Sequence, residues 1–449
     1  MSTPVIAAES PRALIESLDH EGRGVAHVDG KAVFVEGALP RELVEYQASR
    51  KKKNFETAKL VSIVRESAER VKPKCVNYDI CGGCALQHAD YALQVAAKQR
   101  VLEDNLARIG KVTPDTILPP IYAAQWEYRH RARLSVHYVA KKGGVLVGFR
   151  ERKSSYVADM HSCEVLAGGV GRMIEPLRVL MTGLDTRDKI PQIEVAVGER
   201  VTALVLRLLE PLTPADEIKL KAFADEHRIQ WWVQVKGPET AVPWYPAIGP
   251  GGAAELTYLL PEFNLEILFR PTEFTQVNHD VNRLMVERAM RLLDPQPGEH
   301  IADLFCGLGN FSLPIARLGA NVIGVEGSAS LTERAEQNAA RNGLGDKSRR
   351  SVYRSGSRHA ARAQGRQDAD RSAARWRCRS VQAAVPRTSP RTDAHRLCLL
   401  QSGHAGARCG HPGAHAGLPA EGGRCGQYVS PHGACGVDCL VRTLASLDF

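Results

Sequence analysis

Three cysteines crowd one short stretch, Cys75-x5-Cys81-Gly82-Gly83-Cys84. Thiolates at this spacing are candidate metal ligands, and the two glycines let the backbone wrap closely around a bulky centre. A fourth ligand is needed, and Cys163 is the one cysteine left before the loop that holds Cys306. Structural zinc usually takes two close Cys-x2-4-Cys pairs, whereas three clustered ligands plus a distant one better suit a 4Fe-4S cubane. The cubane is the favoured reading, and zinc stays open. The spacing is not the Cys-x3-Cys-x2-Cys of radical enzymes, so the cluster is expected to be structural or RNA-positioning rather than a source of electrons.

A second constellation is Asp303-Leu-Phe305-Cys306-Gly307-Leu-Gly309-Asn310-Phe311, placed between a strand and a helix, where glycines allow a ligand to approach the backbone at the helix start. Glu326, at the end of the next strand, could accept hydrogen bonds from both hydroxyls of a ribose. A nicotinamide cofactor would normally want a third glycine, and position 312 is Ser. S-adenosyl-L-methionine (SAM) therefore fits better than a dinucleotide. Cys306 reads as packing within this loop rather than as a nucleophile.

These residues need elements to hold them, and the composition allows for several domains. The 449 residues, 44% hydrophobic and with a mean hydropathy of -0.23, are those of a globular chain of about three domains. The first residues carry no basic stretch followed by an apolar one, and no run of about 18 apolar residues occurs, so a cytoplasmic protein with no membrane partner is expected. From about Ile15 to Val64, turn signals recur roughly every ten residues between alternating segments such as Ala32-Val33-Phe34-Val35 and Leu43-Val44-Glu45-Tyr46, which predicts a small antiparallel barrel. Its last hairpin would carry Arg50 to Lys53. That run is either a solvated surface or, beside Tyr46 and Phe55, a basic rim that holds an oligonucleotide by charge and stacking.

Beyond the barrel, a mixed stretch from about Val71 to Phe274 contains a helix expected over Tyr91–Ile109. Aromatic and basic residues interleave there (Trp126, Tyr128, Arg129, His130, Arg131, Arg133, then Phe149, Arg150, Arg152, Lys153), and phosphate binding and ordinary strand faces are equally good readings. From Asn278 the pattern predicts a helix over Val281–Leu293, a strand over His300–Leu304, a helix over Phe311–Leu318, a strand over Asn321–Val325 and a helix over Leu331–Asn342 closed by Gly343. This is the opening of a doubly wound parallel sheet.

The formal charge of +9 is unevenly placed. Residues 348–449 hold 16 Arg against 6 acidic residues, or +10, which leaves about -1 for the first 347. The same segment has no Lys, Ile, Met or Asn and cannot supply a normal core.

Taken together, Cys75, Cys81-Gly-Gly-Cys84-Ala-Leu-Gln-His88, Phe274-Thr-Gln276-Val-Asn278 and Asp303-Leu-Phe-Cys-Gly-Leu-Gly-Asn310-Phe resemble the bacterial iron-sulfur 23S ribosomal RNA uracil-5-methyltransferases, the RumA/RlmD group. The match covers about the first 347 residues. The resemblance implies an α/β protein with a TRAM domain over 1–66, a central α+β domain over 67–274 with the 4Fe-4S site, and the start of a Rossmann-like class I methyltransferase domain over 275–347. It implies cluster ligands Cys75, Cys81, Cys84 and Cys163, and SAM contacts from Gln276, the backbone at Phe305, Asn310 and Glu326. A 23S ribosomal RNA partner and a monomeric state are expected. In the family's chemistry a cysteine thiolate adds to carbon 6 of a flipped-out uracil, carbon 5 takes the methyl group, and a carboxylate base removes the carbon 5 proton before the cysteine leaves. A transfer RNA uracil-5-methyltransferase and a non-catalytic RNA-binding iron-sulfur protein are the alternatives.

The family's later motifs (Asp-Pro-Pro-Arg, Ser-Cys-Asn-Pro with the nucleophile, and His-Val-Glu with the base) are absent, so no catalytic residue is assigned. Reading one nucleotide later with allowed codons, residues 367–377 can become Lys-Met-Leu-Ile-Asp-Pro-Pro-Arg-Asp-Gly. Residues 395–405 can become Ile-Val-Tyr-Val-Ser-Cys-Asn-Pro-Ala-Thr, with the cysteine straddling Leu400 and Gln401. Residues 427–439 can become Asn-Met-Phe-Pro-His-Thr-Ala-His-Val-Glu-Ser-Ile, with the base straddling Gly436 and Val437. Three matches in one frame and in the correct order predict a frameshift near Lys347 and Ser348, an out-of-frame, disordered segment over 348–449, and no activity for the chain as written. The six cysteines and six histidines of that segment then have accidental spacing.

Overall fold

In this computed structural model, residues 10–250 and 252–345 are described. They fall into two compact units, one made of 10–104 with 117–287 and the other of 105–116 with 288–345. The segment 348–449 and its out-of-frame motifs lie outside the described residues.

The first unit opens with a six-stranded sheet. Its strands are Arg12–Leu14, Ser17–Leu18, Gly24–Val28, Lys31–Glu36, Leu43–Lys51 and Phe55–Arg65, and their order in space is first, fifth, sixth, fourth, third, second. The two outermost strands are joined only by Ile15 and Glu16, so the sheet has to curl round and close into a barrel. Asp29 and Gly30, both at positive φ (49° and 76°), make the tight turn between Val28 and Lys31, the geometry that a two-residue hairpin requires. Val33, Val35, Val44 and Ala58 fill the interior.

Two expectations for this barrel need correcting. Lys31–Glu36 pairs in parallel with Phe55–Arg65, because the chain crosses through Leu43–Lys51 before it returns, so the barrel is not wholly antiparallel. Tyr46 is only 4% exposed, on the inward face of its strand, and cannot stack on a base. Phe55 is partly exposed; it packs edge-on against Phe34 and lies under the Lys52 ammonium.

A second sheet carries the centre of this unit, in the order Val242–Tyr245, Ile229–Gln234, Thr202–Arg207, Gln192–Val197, Arg131–Val139, Gly144–Gly148. Only the pair Thr202–Arg207 with Ile229–Gln234 is parallel, and the helix Pro214–His227 supplies its crossover. That helix starts where Thr213 accepts the Asp216 amide at 3.1 Å and Pro214 occupies the first turn. The helix Val170–Thr182 buries Ile174, Leu177 and Met181, and Leu134, Ile193, Val195, Leu204 and Trp231 come from the sheet to the same core. The helix expected over Tyr91–Ile109 is α-helical over Tyr91–Asp104 and π-helical over Asn105–Gly110, the point at which the chain passes between units.

In the second unit the strands His300–Leu304 and Asn321–Val325 run parallel, in register Ile301 with Val322 and Asp303 with Gly324. The helix Ser312–Arg317 connects them, as the expected βαβ pattern requires. The next helix, Ala329–Arg341, ends in a Schellman motif: the Gly343 amide donates to Ala340, the Leu344 amide donates to Ala339 at 2.8 Å, and Gly343 takes the positive φ of 68°. Among the described residues no helix is long and apolar enough to cross a membrane.

Candidate functional site: a four-thiol cavity and a helix-start loop

Cys75, Cys81, Cys84 and Cys163 line one cavity of about 170 Å³ in the first unit, and all four are free thiols. The loop that bears the first three is held at many points. Its stretch 80–82 pairs with 150–152: the Gly82 amide donates to Arg150 at 2.9 Å and the Arg152 amide donates to Ile80 at 3.0 Å. The Arg152 guanidinium donates to the carbonyls of Tyr78 (3.0 Å) and Cys84 (2.7 Å) and lies over the Tyr78 ring. Gln87 accepts the Cys75 amide at 3.2 Å and hydrogen-bonds the Cys84 thiol.

Tyr78 Oη lies 2.6 Å from the Ala85 carbonyl and 2.5 Å from His88 Nδ1. A phenol has one proton, which only the carbonyl must receive, so His88 carries its proton on Nδ1 and donates it to Tyr78. Burial holds the His88 imidazole down to about 4, which keeps the ring neutral.

Cys163 comes to the cavity from a separate loop. The Val165 and Leu166 amides donate to its sulfur, and the Cys163 amide donates to Gly171 at 3.0 Å. Burial pushes the Cys163 thiol up to about 11 and also raises Cys81 and Cys84, and the neighbouring cysteines add to each shift. Among the described residues no three His, Cys, Asp or Glu side chains are gathered about a point that would hold a metal ion. The four cysteines share the cavity wall with Tyr78, Gln87, Arg129, Phe149 and Met160.

The second unit presents the glycine loop. Phe305 (φ 62°), Gly307 (55°) and Gly309 (93°) all adopt left-handed conformations, which lift the chain off the strand and turn it into the helix at Ser312. Phe305 is 54% exposed despite its apolar ring, while its amide donates to the Val325 carbonyl at 2.7 Å. Glu326 binds the loop from the end of the second strand: Oε2 accepts the Gly307 amide at 3.1 Å and Oε1 accepts the Ser328 amide at 3.0 Å. Asp303 is buried and accepts the Ser312 hydroxyl at 2.6 Å, and its burial pushes the carboxyl up to about 7. Asn310 is buried, and Asn338 donates to the Leu308 carbonyl at 3.1 Å. Cys306 is 1% exposed and its thiol is raised by burial, in keeping with a packing residue.

Gln276 belongs to the first unit, in a segment tied by the His130 amide, which donates to Val277 at 2.8 Å. The neighbouring Thr275 is buried, and its hydroxyl has no partner.

Residues 10–61 match the family model of the TRAM domain, and residues 262–353 that of tRNA (Uracil-5-)-methyltransferase. A 23S rRNA (uracil(1939)-C(5))-methyltransferase RlmD of Nitrosospira multiformis is 59% identical over 336 residues, 75% of this chain and 76% of that one. The chain belongs to this family. The RlmD protein of Cupriavidus pinatubonensis is 55% identical over 349 residues, 76% of this chain and 74% of that one. Among solved structures, the tRNA (uracil-54, C5)-methyltransferase of Pyrococcus abyssi in complex with S-adenosyl-L-homocysteine superposes with a TM-score of 0.54 at 22% identity, covering 74% of this chain and 77% of that one, and so shares the fold. About a quarter of the RlmD chains stays outside each match. The uracil-5-methyltransferase model stops at residue 353, close to the change of composition at 348.

Arg129 and Arg152 were legible only as members of a basic row. The structure places both beside the cysteines, Arg129 in the cavity wall and Arg152 on the carbonyls of the loop. Nothing in their spacing signals this, because the contacts join residues far apart in the chain, such as Arg152 with Tyr78 and Cys84, 74 and 68 positions away.

Proposed function

We propose that this RlmD-family chain derives from a SAM-dependent enzyme that methylates carbon 5 of a uridine in 23S ribosomal RNA, with a 4Fe-4S cluster in the four-thiol cavity. The observation that carries the chemistry is the left-handed loop Phe305–Gly309 with Glu326 anchored behind it. It leaves main-chain groups and a carboxylate edge facing the place where a nucleoside-bearing donor would lie. SAM supplies an electrophilic methyl group there. Glu326 would take the ribose hydroxyls, and the backbone at Phe305 and the Asn310 amide would orient the donor.

Four cysteines in the wall of one cavity, three of them clustered in the chain and one distant, support the cluster reading. The barrel and the cysteine loop also flank a groove of about 400 Å³ in which Arg23, Arg150, Arg152 and Lys153 face Glu21, Glu36 and Glu151, with Arg23 paired to Glu21 and Lys153 to Glu36.

No described residue suits the attack on carbon 6. Cys306 is buried and held protonated, and the four clustered thiols belong to the cavity. The missing nucleophile and base fit the frameshift reading, which the end of the uracil-5-methyltransferase match at residue 353 supports.

The decisive experiment compares the chain as written with a version whose frame is restored near Lys347, using unmodified 23S ribosomal RNA and labelled SAM. The restored chain transfers label to uracil carbon 5 and is trapped covalently on 5-fluorouracil RNA; the chain as written does neither. Normal turnover by the chain as written would overturn the frameshift reading. RNA binding without trapping by the restored chain would favour the non-catalytic alternative.

A further inference from the structure

Arg129 is the one basic side chain in the wall of the four-thiol cavity. It is half-buried, and no carboxylate of the described residues is ion-paired with it. A guanidinium withdrawn from water without a carboxylate partner is costly; this one hydrogen-bonds the Tyr128 phenol and shares its cavity wall with the four cysteines. The other acidic group in the wall, Glu164, is taken up by Lys74 at 3.3 Å.

The main chain of the same residue is a junction. On one side it pairs with the Cys163 loop: the Arg129 amide donates to Val165 at 2.8 Å and its carbonyl accepts the Ala167 amide at 3.0 Å. On the other side Arg129 lies opposite Asn278 in an isolated antiparallel pair, and the hydrogen bond across it comes from the next amide, that of His130, which donates to Val277 at 2.8 Å.

We infer that Arg129 is a positioning residue that couples the centre held by the four thiolates to the segment Phe274–Asn278, its guanidinium serving as counter-charge, its own main chain bonded to the Cys163 loop and the adjoining His130 amide bonded to that segment. This rests on the cluster reading above. Loading the cavity fixes the side chain, and a fixed Arg129 keeps both hydrogen-bonded seams closed. Emptying it removes the counter-charge and loosens the seam to Val277. The reduced form of a cluster carries one more negative charge than the oxidised form, so a neighbouring cation raises its midpoint potential.

The test uses the full chain purified without oxygen, as wild type, Arg129→Met and Arg129→Lys. Three readouts are taken: iron content, midpoint potential, and hydrogen exchange at the His130 amide before and after the iron is removed with a chelator. In the wild type, iron removal accelerates exchange at His130. Arg129→Met retains iron, has a more negative potential than wild type, and exchanges His130 fast even when loaded. Arg129→Lys returns the potential toward the wild-type value.

Iron missing from the wild type would overturn the cluster reading and this inference with it. Iron present, with His130 exchange indifferent to its removal, would overturn the coupling alone. An unchanged potential in Arg129→Met would overturn the counter-charge. Should Arg129→Met fail to fold, the chelator experiment on the wild type and the potential of Arg129→Lys decide.

Discussion

Gly307 donates its amide to Glu326 Oε2 at 3.1 Å, so the carboxylate expected to face the donor is already fixed by the loop it serves. Both of its oxygens accept a backbone amide, from Gly307 and from Ser328. Glu326→Gln would turn an NH₂ group toward one of those donors as well as remove the charge. Hydrogen bonds to a charged group contribute about 1.5–3 kcal/mol. SAM affinity of the frame-restored chain should therefore fall by about 10–100-fold, as read by calorimetry. Affinity within about twofold of wild type would remove Glu326 from the site.

Asp303 gives a pH dependence. Burial raises its folded pKa to about 7 against an unfolded value near 3.9, so between these limits the folded state binds more protons than the unfolded one. The stability contributed by the protonated carboxyl is present in full below about pH 4 and is lost as pH rises through about 7. Denaturant unfolding of wild type and Asp303→Asn at several pH values isolates the effect: the difference between the two should grow, in favour of Asn, from pH 5 to pH 8. A pH-independent difference would mean that Asp303 is ionised in the fold.

Gly171 lies in the first turn of the helix Val170–Thr182, where alanine would ordinarily gain up to about 1 kcal/mol. In this fold a Cβ at 171 would run into the Cys163 carbonyl oxygen, which is backbone and cannot swing aside. Gly171→Ala should therefore lower the melting temperature and reduce bound iron well below wild type, because the loop that delivers Cys163 has to move. Iron content equal to wild type would show that the loop accommodates the methyl group.

Glu42 and Arg70 test how the barrel is tied to the chain that leaves it. Glu42 is fully buried, takes Arg70 Nε at 2.6 Å and Nη2 at 2.8 Å, and also accepts the Leu39 amide. Removing one partner of a buried pair strands the other, at a cost of about 3–5 kcal/mol. Arg70→Met should show a loss of that order in urea unfolding, and a loss below about 1 kcal/mol would mean that water reaches the carboxylate.

The sequence made the local half of this architecture legible. His300–Leu304, Asn321–Val325 and the Gly343 stop follow from short-range apolar periodicity and turn chemistry, and the structure has them where the pattern puts them. The cysteine spacing pointed to the cavity because three of its thiols are near neighbours in the chain. What stayed hidden is non-local. The parallel pairing of Lys31–Glu36 with Phe55–Arg65 depends on the path of an intervening strand, and alternation alone told only that Tyr46 lies on one face, not that this face is the interior. Arg129 and Arg152 look alike in the sequence, and only the fold separates a cavity wall from a loop clamp.

Gly22 carries one more consequence. At its positive φ of 79° a barrel turn lies so near the cysteine loop that a Cβ there would meet Leu86 at 2.9 Å, and in the same groove Lys153 pairs with Glu36 of the barrel. Cys84 is thus two residues from a contact shared with the barrel. If the cavity takes up the proposed cluster, an isotope label at Gly22 would act as a remote gauge, its resonance reporting on the cysteine loop with and without iron.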